Sequence, residues 1–134
     1  MKNQFKAAFA PVLYIPKGTI DIDFYKNAFG AIELRRFNND DGSIHVAEFT
    51  IDGAMFHLHE ENYIKKAFSP LSCNGTTTNI GLMVADVDAV MAQALAAGAK
   101  EISPAQNYDY GFRQSDIIDP FGHHWTIQKV IDQR

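Results

Sequence analysis

The feature that most constrains this chain is that it contains the same pattern twice. Ala28-Phe29-Gly30-Ala31-Ile32-Glu33-Leu34 resembles Ala96-Ala97-Gly98-Ala99-Lys100-Glu101-Ile102, 68 positions further on. Gly53-Ala54-Met55-Phe56-His57-Leu58 stands against Gly122-His123-His124-Trp125-Thr126-Ile127 at a shift of 69. Identities are few, so the order of patterns around them carries the argument. Each copy reads apolar strand, amphipathic helix, glycine stop, then a β-rich stretch ending in a tight turn and a last strand. A repeat of half a chain means one supersecondary unit built twice. The chain's 134 residues, 46% of them hydrophobic, suffice for a single core but not for two independent ones.

The expected elements follow from periodicity. In the first copy Pro11–Ile15 is a strand, and Thr19 is the expected N-cap of a helix with Asp21 and Asp23 in its first turn. Ile20, Phe24 and Ala28 form the helix's apolar face, and Gly30 ends it. Glu33–Phe37 is a strand; Ile44–Ile51 and Ala54–Glu60 form a hairpin on Asp52-Gly53. The second copy gives strands over Asn79–Val84, Lys100–Ser103, Phe112–Ile118 and His123–Lys129, with a helix capped by Asp86 and closed by Gly98. A polar segment containing Ser69-Pro70 and Asn74-Gly75 links them. The expectation is one α+β domain over residues 1–134: a first βαβββ module over about 8–60, a linker over about 61–77 and a second module over about 78–130. Paired, the modules would form a curved mixed sheet around a cleft, with helices outside.

Composition narrows the function. The net charge is -4, and the 12 basic residues are scattered, which argues against nucleic acid as a partner. No apolar run reaches the ~20 residues of a membrane span, and the N-terminus lacks a signal-peptide pattern. A single cysteine, Cys73, makes a reducing, cytoplasmic setting the expectation. No glycine-rich phosphate loop occurs.

Three strings, Ile22-Asp23-Phe24-Tyr25-Lys26-Asn27-Ala28-Phe29-Gly30-Ala31, Val84-Ala85-Asp86-Val87-Asp88 and Asp119-Pro120-Phe121-Gly122-His123-His124-Trp125, resemble the vicinal oxygen chelate superfamily, and within it the PhnB-like branch. That superfamily includes glyoxalase I, bleomycin-resistance proteins, fosfomycin-resistance enzymes and extradiol dioxygenases. The resemblance implies four symmetric positions where metal-dependent members carry ligands. Here they fall on His57 and Thr126 in the last strands, and on Ala10 (or Pro11) and Asn79 in the first. Only His57 is a good transition-metal ligand, whereas catalytic zinc and non-heme iron need about three strong protein donors. The first expectation is therefore a metal-free protein binding a small, partly aromatic or cationic molecule. The alternative is a lyase-, dioxygenase- or transferase-type enzyme with a divalent metal on His57, His59 and His124, with Glu48 or Glu60 nearby.

Strand alternation from the ligand-equivalent positions nominates the cleft. Tyr14, His57, His59, Asn79, Met83, His124 and Thr126 should face it with Val12, while Leu13, Ile15, Phe56, Leu58, Trp125 and Ile127 face the helices. Phe112 and Arg113 are added from the approach to the second module; Arg113 either grips an anionic ligand or pairs with a neighbouring carboxylate. Relatives usually close such a cleft by pairing two chains, so a homodimer is expected. The aromatic segments 5–9, 63–68 and 108–112 are candidate contacts; the alternative is that they cover their own core.

Overall fold

A computed structural model describes residues 5–131; the outermost residues of the expected domain, 1–4 and 132–134, lie outside the described residues. Each module is a strand, a helix and three further strands. The first comprises β1 (Val12–Ile15), α1 (Phe24–Phe29), β2 (Ile32–Asn38), β3 (Ile44–Ile51) and β4 (Ala54–Glu60). After a short helix α2 (Pro70–Cys73), the second comprises β5 (Asn79–Met83), α3 (Val87–Ala97), β6 (Lys100–Tyr108), β7 (Phe112–Ile118) and β8 (His124–Val130). The strands form two mixed four-stranded sheets, ordered β1-β4-β3-β2 and β5-β8-β7-β6, rather than one continuous hydrogen-bonded sheet. In each, the first strand runs parallel to the last, and the helix lies in the long connection that such a pairing requires.

The core is shared between the modules. Inward residues of both sheets (Leu13, Ile15, Phe49, Phe56, Leu58, Ile117, Trp125 and Ile127) belong to one buried cluster with Phe24, Tyr25 and Ala28 of α1 and Met91 and Ala94 of α3. Phe29 and Phe56 of the first module contact Trp125 of the second, with ring centroids 4.8 and 6.0 Å apart. Because the inward faces and the helices fill this common interior, each sheet's other face lies on its far side from the core. The residues expected to face the helices on β1, β4 and β8 all lie in this cluster, and on β5 the partly buried Ile80 and Leu82 pack against it.

The repeat reaches into irregularities. β2 and β6 each break register at the same place, between Glu33 and Arg35 and between Glu101 and Ser103, positions 68 apart. Leu34 and Ile102, skipped by the two ladders, are both exposed.

Three expectations are corrected. Thr19 caps no helix: its hydroxyl donates to the Pro16 carbonyl at 2.7 Å and its own carbonyl accepts from Ile44 N, so the chain turns there and α1 begins only at Phe24. The linker is not merely polar. Ser69 caps α2, and Glu61, buried at 2% exposure, accepts from Ser69 N and the Ser72 hydroxyl, anchoring the crossing. β6 runs on to Tyr108 instead of stopping at Ser103; Pro104 is tolerated because β6 is a sheet edge, where a missing N–H breaks no ladder.

Candidate functional site

Cross-strand register builds the open face of the first sheet. His57 of β4 lies between Val12 of β1 and Glu48 of β3, and Glu48 is opposite Arg35 of β2. The next row is Tyr14, His59, Val46 and Phe37. The imidazoles of His57 and His59 have centroids 5.9 Å apart, and Tyr14 meets His59 edge-on at 6.2 Å. His57 Nε2 lies 3.3 Å from the Met55 sulfur. Arg35 grips Glu48 with two hydrogen bonds of 2.9 and 2.8 Å, and its guanidinium sits over Phe37, 5.6 Å from the ring centroid. The Arg35 hydrogen bonds hold the Glu48 carboxyl below its ordinary value; partial burial opposes this, and the charge of Arg35 adds to it. Burial pushes the His59 imidazole down, and neighbouring His57 and His45 push it further.

The open face of the second sheet is a chain of hydrogen bonds. Asn79 Nδ2 donates to the Thr126 hydroxyl at 2.7 Å, and that hydroxyl donates to Asp116 Oδ1 at 2.6 Å. Ser103 donates to Asp116 Oδ2 at 2.9 Å. Beside them Gln114 Nε2 donates to Gln128 Oε1 at 2.7 Å, and the Tyr110 hydroxyl donates to Gln114. Tyr108 and Tyr110 stack at 5.2 Å, with Phe112 adjoining at 6.2 Å. His124 is opposite Asn79 and Met83 opposite Gln128. Gly81, opposite Thr126, leaves room that the Gln128 amide uses: a Cβ there would lie 2.8 Å from Gln128 Nε2.

The nominated residues thus gather in two groups. Tyr14, His57 and His59 share one open face; Asn79, Met83, His124, Thr126 and Phe112 share the other. Arg113 joins neither. It projects to the helix side, where its fork donates to Asp88 of α3 at 3.0 and 2.8 Å and to Asn107 at 3.0 Å, and those bonds hold Asp88 below its ordinary value. Sequence reasoning missed Asp116, Gln114 and Gln128, although counting by twos from Phe112 and Thr126 reaches all three. Ser103 could not be paired with Asp116 while β6 was expected to end there.

The paired ladders support the symmetric mapping, since His57 with Val12 and Thr126 with Gly81 are the same cross-strand pair 69 residues apart. The donor set fits a resident divalent metal poorly. Thr126 both accepts from Asn79 and donates to Asp116, and β1 begins only at Val12, beyond Ala10. Among the described residues no group of three or more His, Cys, Asp or Glu side chains is placed to hold a metal ion, so His57, His59 and His124 are not one ligand set.

A groove of about 770 Å³ runs where the first strands of the two sheets approach each other, lined by Pro11–Tyr14, Phe68, Pro70, residues 75–78, Ile80 and His123. His123 spans the modules there, its Nε2 lying 2.7 Å from the Tyr14 carbonyl oxygen.

Residues 21–127 match the glyoxalase/bleomycin resistance protein/dioxygenase superfamily. The chain belongs to that superfamily. It is 37% identical over 134 residues to the uncharacterized protein Mb0911c of Mycobacterium bovis, covering 98% of this chain and 88% of that one. The uncharacterized protein Rv0887c of Mycobacterium tuberculosis is also 37% identical, with 79% of its length covered. Among solved structures, TioX from Micromonospora sp. ML1 superposes with a TM-score of 0.66 at 26% identity, covering 92% of this chain and all of TioX (100%). The fosfomycin resistance protein FosX from Listeria monocytogenes gives 0.68 at 16% identity, with 94% of each chain covered, a likeness of fold. No described helix is long and apolar enough to cross a membrane.

Proposed function

We propose that this superfamily member binds a small organic molecule against the open sheet faces without a resident metal, in a cleft completed by a second copy. We assign it to the PhnB-like branch on the three strings that carry that resemblance, and expect it to act in the cytoplasm. The observation that carries the reading is the committed bonding of the module-two positions: Asn79, Thr126, Asp116 and Ser103 satisfy one another, while aromatic and thioether groups flank them. Apolar contact area with a few fixed polar groups is how small-molecule sites orient their ligands. The test is a thermal-shift screen of a metabolite library with and without EDTA. A ligand that raises the melting temperature equally in both, and is recovered unaltered, supports the reading. Stabilisation that requires metal, or turnover that EDTA abolishes, overturns it.

One observation favours the metalloenzyme alternative: two good donors, His57 and His59, share an open face with imidazole centroids 5.9 Å apart, to which a second copy would have to add a third. Elemental analysis of untagged protein separates the readings, since about one metal per chain that His57→Ala removes is expected only of the enzyme.

A further inference from the structure

The repeat supplies an internal comparison. Arg35 and Glu48 in the first module correspond, at a shift of 68, to Ser103 and Asp116 in the second, and both pairs are cross-strand partners on an open face. They differ in charge balance. Glu48 is neutralised by the two-pronged guanidinium of Arg35. Asp116 receives only the neutral hydroxyls of Ser103 and Thr126, and among the described residues no lysine, arginine or histidine pairs with it. A half-buried carboxylate without a countercharge attracts a cation more strongly than a fully solvated one.

We propose that Asp116 is the counter-ion for a guanidinium or ammonium group of the ligand, which occupies the place that Arg35 fills in the first module. The ligand class is an amphipathic organic cation. Its charged head lies against Asp116 and its apolar body runs along β7 over Gln114 toward Phe112 and Tyr110. Phe112 is four residues from Asp116, or ~13 Å along a strand, which bounds the ligand's length. The flat amide pair of Gln114 and Gln128 forms the floor between, and the exposed Met83 adds soft apolar contact opposite Gln128.

This inference rests on the small-molecule reading, and a matched pair of probes separates the two. Benzylguanidinium and its neutral near-isostere benzylurea are titrated into ¹⁵N-labelled full chain, with amide shifts recorded. The expected result is that both perturb β7 and β8 residues, with benzylguanidinium binding about tenfold more tightly, a difference of about 1.4 kcal/mol. Asp116→Asn should erase the preference, so that the two probes bind alike. Ser103→Arg, which copies the first module's internal ion pair, should erase it too, so the result does not depend on one variant folding. Equal binding of both probes to the unaltered chain overturns the counter-ion and leaves the small-molecule reading standing. A preference that survives in both variants also overturns it. Shifts from neither probe on β7 or β8 overturn the counter-ion together with a ligand site on this face.

Discussion

Asp119 lies on the turn between β7 and β8, yet its side chain does more than shape that turn. It is buried, and accepts from Phe121 N and His123 N on one oxygen and from Tyr25 OH at 2.6 Å and Trp125 Nε1 at 3.0 Å on the other. Tyr25 comes from the other module, 94 residues away. Burial, reinforced by the charge and hydrogen bond of Asp119, pushes the Tyr25 phenol well up, so it remains a donor at any ordinary pH. The sequence shows Asp119-Pro120-Phe121-Gly122 as a turn and Tyr25 as core; that they touch depends on how the modules pack, which no local pattern encodes. Tyr25→Phe should lower unfolding free energy by ~2 kcal/mol, as expected for a lost bond to a charged acceptor. Asp119→Ala should cost more, because it strands four buried donors, and the double variant should cost less than the sum. Urea denaturation of the three variants checks this. His59 gives a pH dependence. Its folded value is lowered, mainly by burial, while the unfolded chain titrates near 6.5, so on acidification the unfolded state takes up the proton first. Stability should therefore fall as pH drops through about 6.5 toward the lower folded value, and the drop between pH 7 and 5.5 should shrink in His59→Gln.

At the scale of elements, legibility followed how local the determining interactions are. The Asp52-Gly53 hairpin was readable to the residue because the turn itself demands left-handed backbone, observed as φ of 48° and 86°. The start of α1 was not, since two aspartates and a threonine suit a first turn equally well on their own. The anchoring of α2 was also hidden: Glu61 and Ser69 read as polar linker until the fold buries both. A pair of glycines tests that packing. Gly42 and Gly122 both have positive φ, 86° and 91°, but a Cβ on Gly42 meets nothing within 4 Å, whereas one on Gly122 lies 2.8 Å from Pro70 Cβ and 3.3 Å from Leu71 N. Gly42→Ala should cost only the backbone strain of about 1–2 kcal/mol. Gly122→Ala should add an overpacking penalty of about 1–3 kcal/mol, because α2 has to move. Equal losses in thermal denaturation would show that α2 does not press on this turn.

At the scale of the whole molecule, the repeat made the fold readable while leaving the joint between its halves unread. Alternation placed Tyr14, His57, His59, Asn79, Met83, His124 and Thr126 on the sides of their strands away from the core, but whether two open faces line one intrachain cleft depends on how the halves meet. They meet through α1, α3 and the inward sheet faces, so the cleft-facing residues divide between two surfaces. Those surfaces carry more apolar area than solvated sheets usually do. Ile32 is 64% exposed, Met83 57% and Phe37 49%, while Phe5 and Phe9, at 92% and 97%, cover no core of their own. Tyr63 with Phe68, and Tyr108 with Tyr110, pack on each other and stay partly open. A second copy that sets its first module against the other chain's second module would bury these groups and bring the histidine face opposite the Asp116 face. Such a pairing is isologous and closes on two chains. Light scattering at micromolar concentration should therefore give ~30 kDa, twice the 15.0 kDa of the chain. Phe9→Asp should shift that mass toward the monomer without altering the far-ultraviolet circular dichroism, since Phe9 supports no internal packing. A mass that stays at 15.0 kDa on concentration would rule out the shared cleft, and any ligand would then have to bind one open face alone.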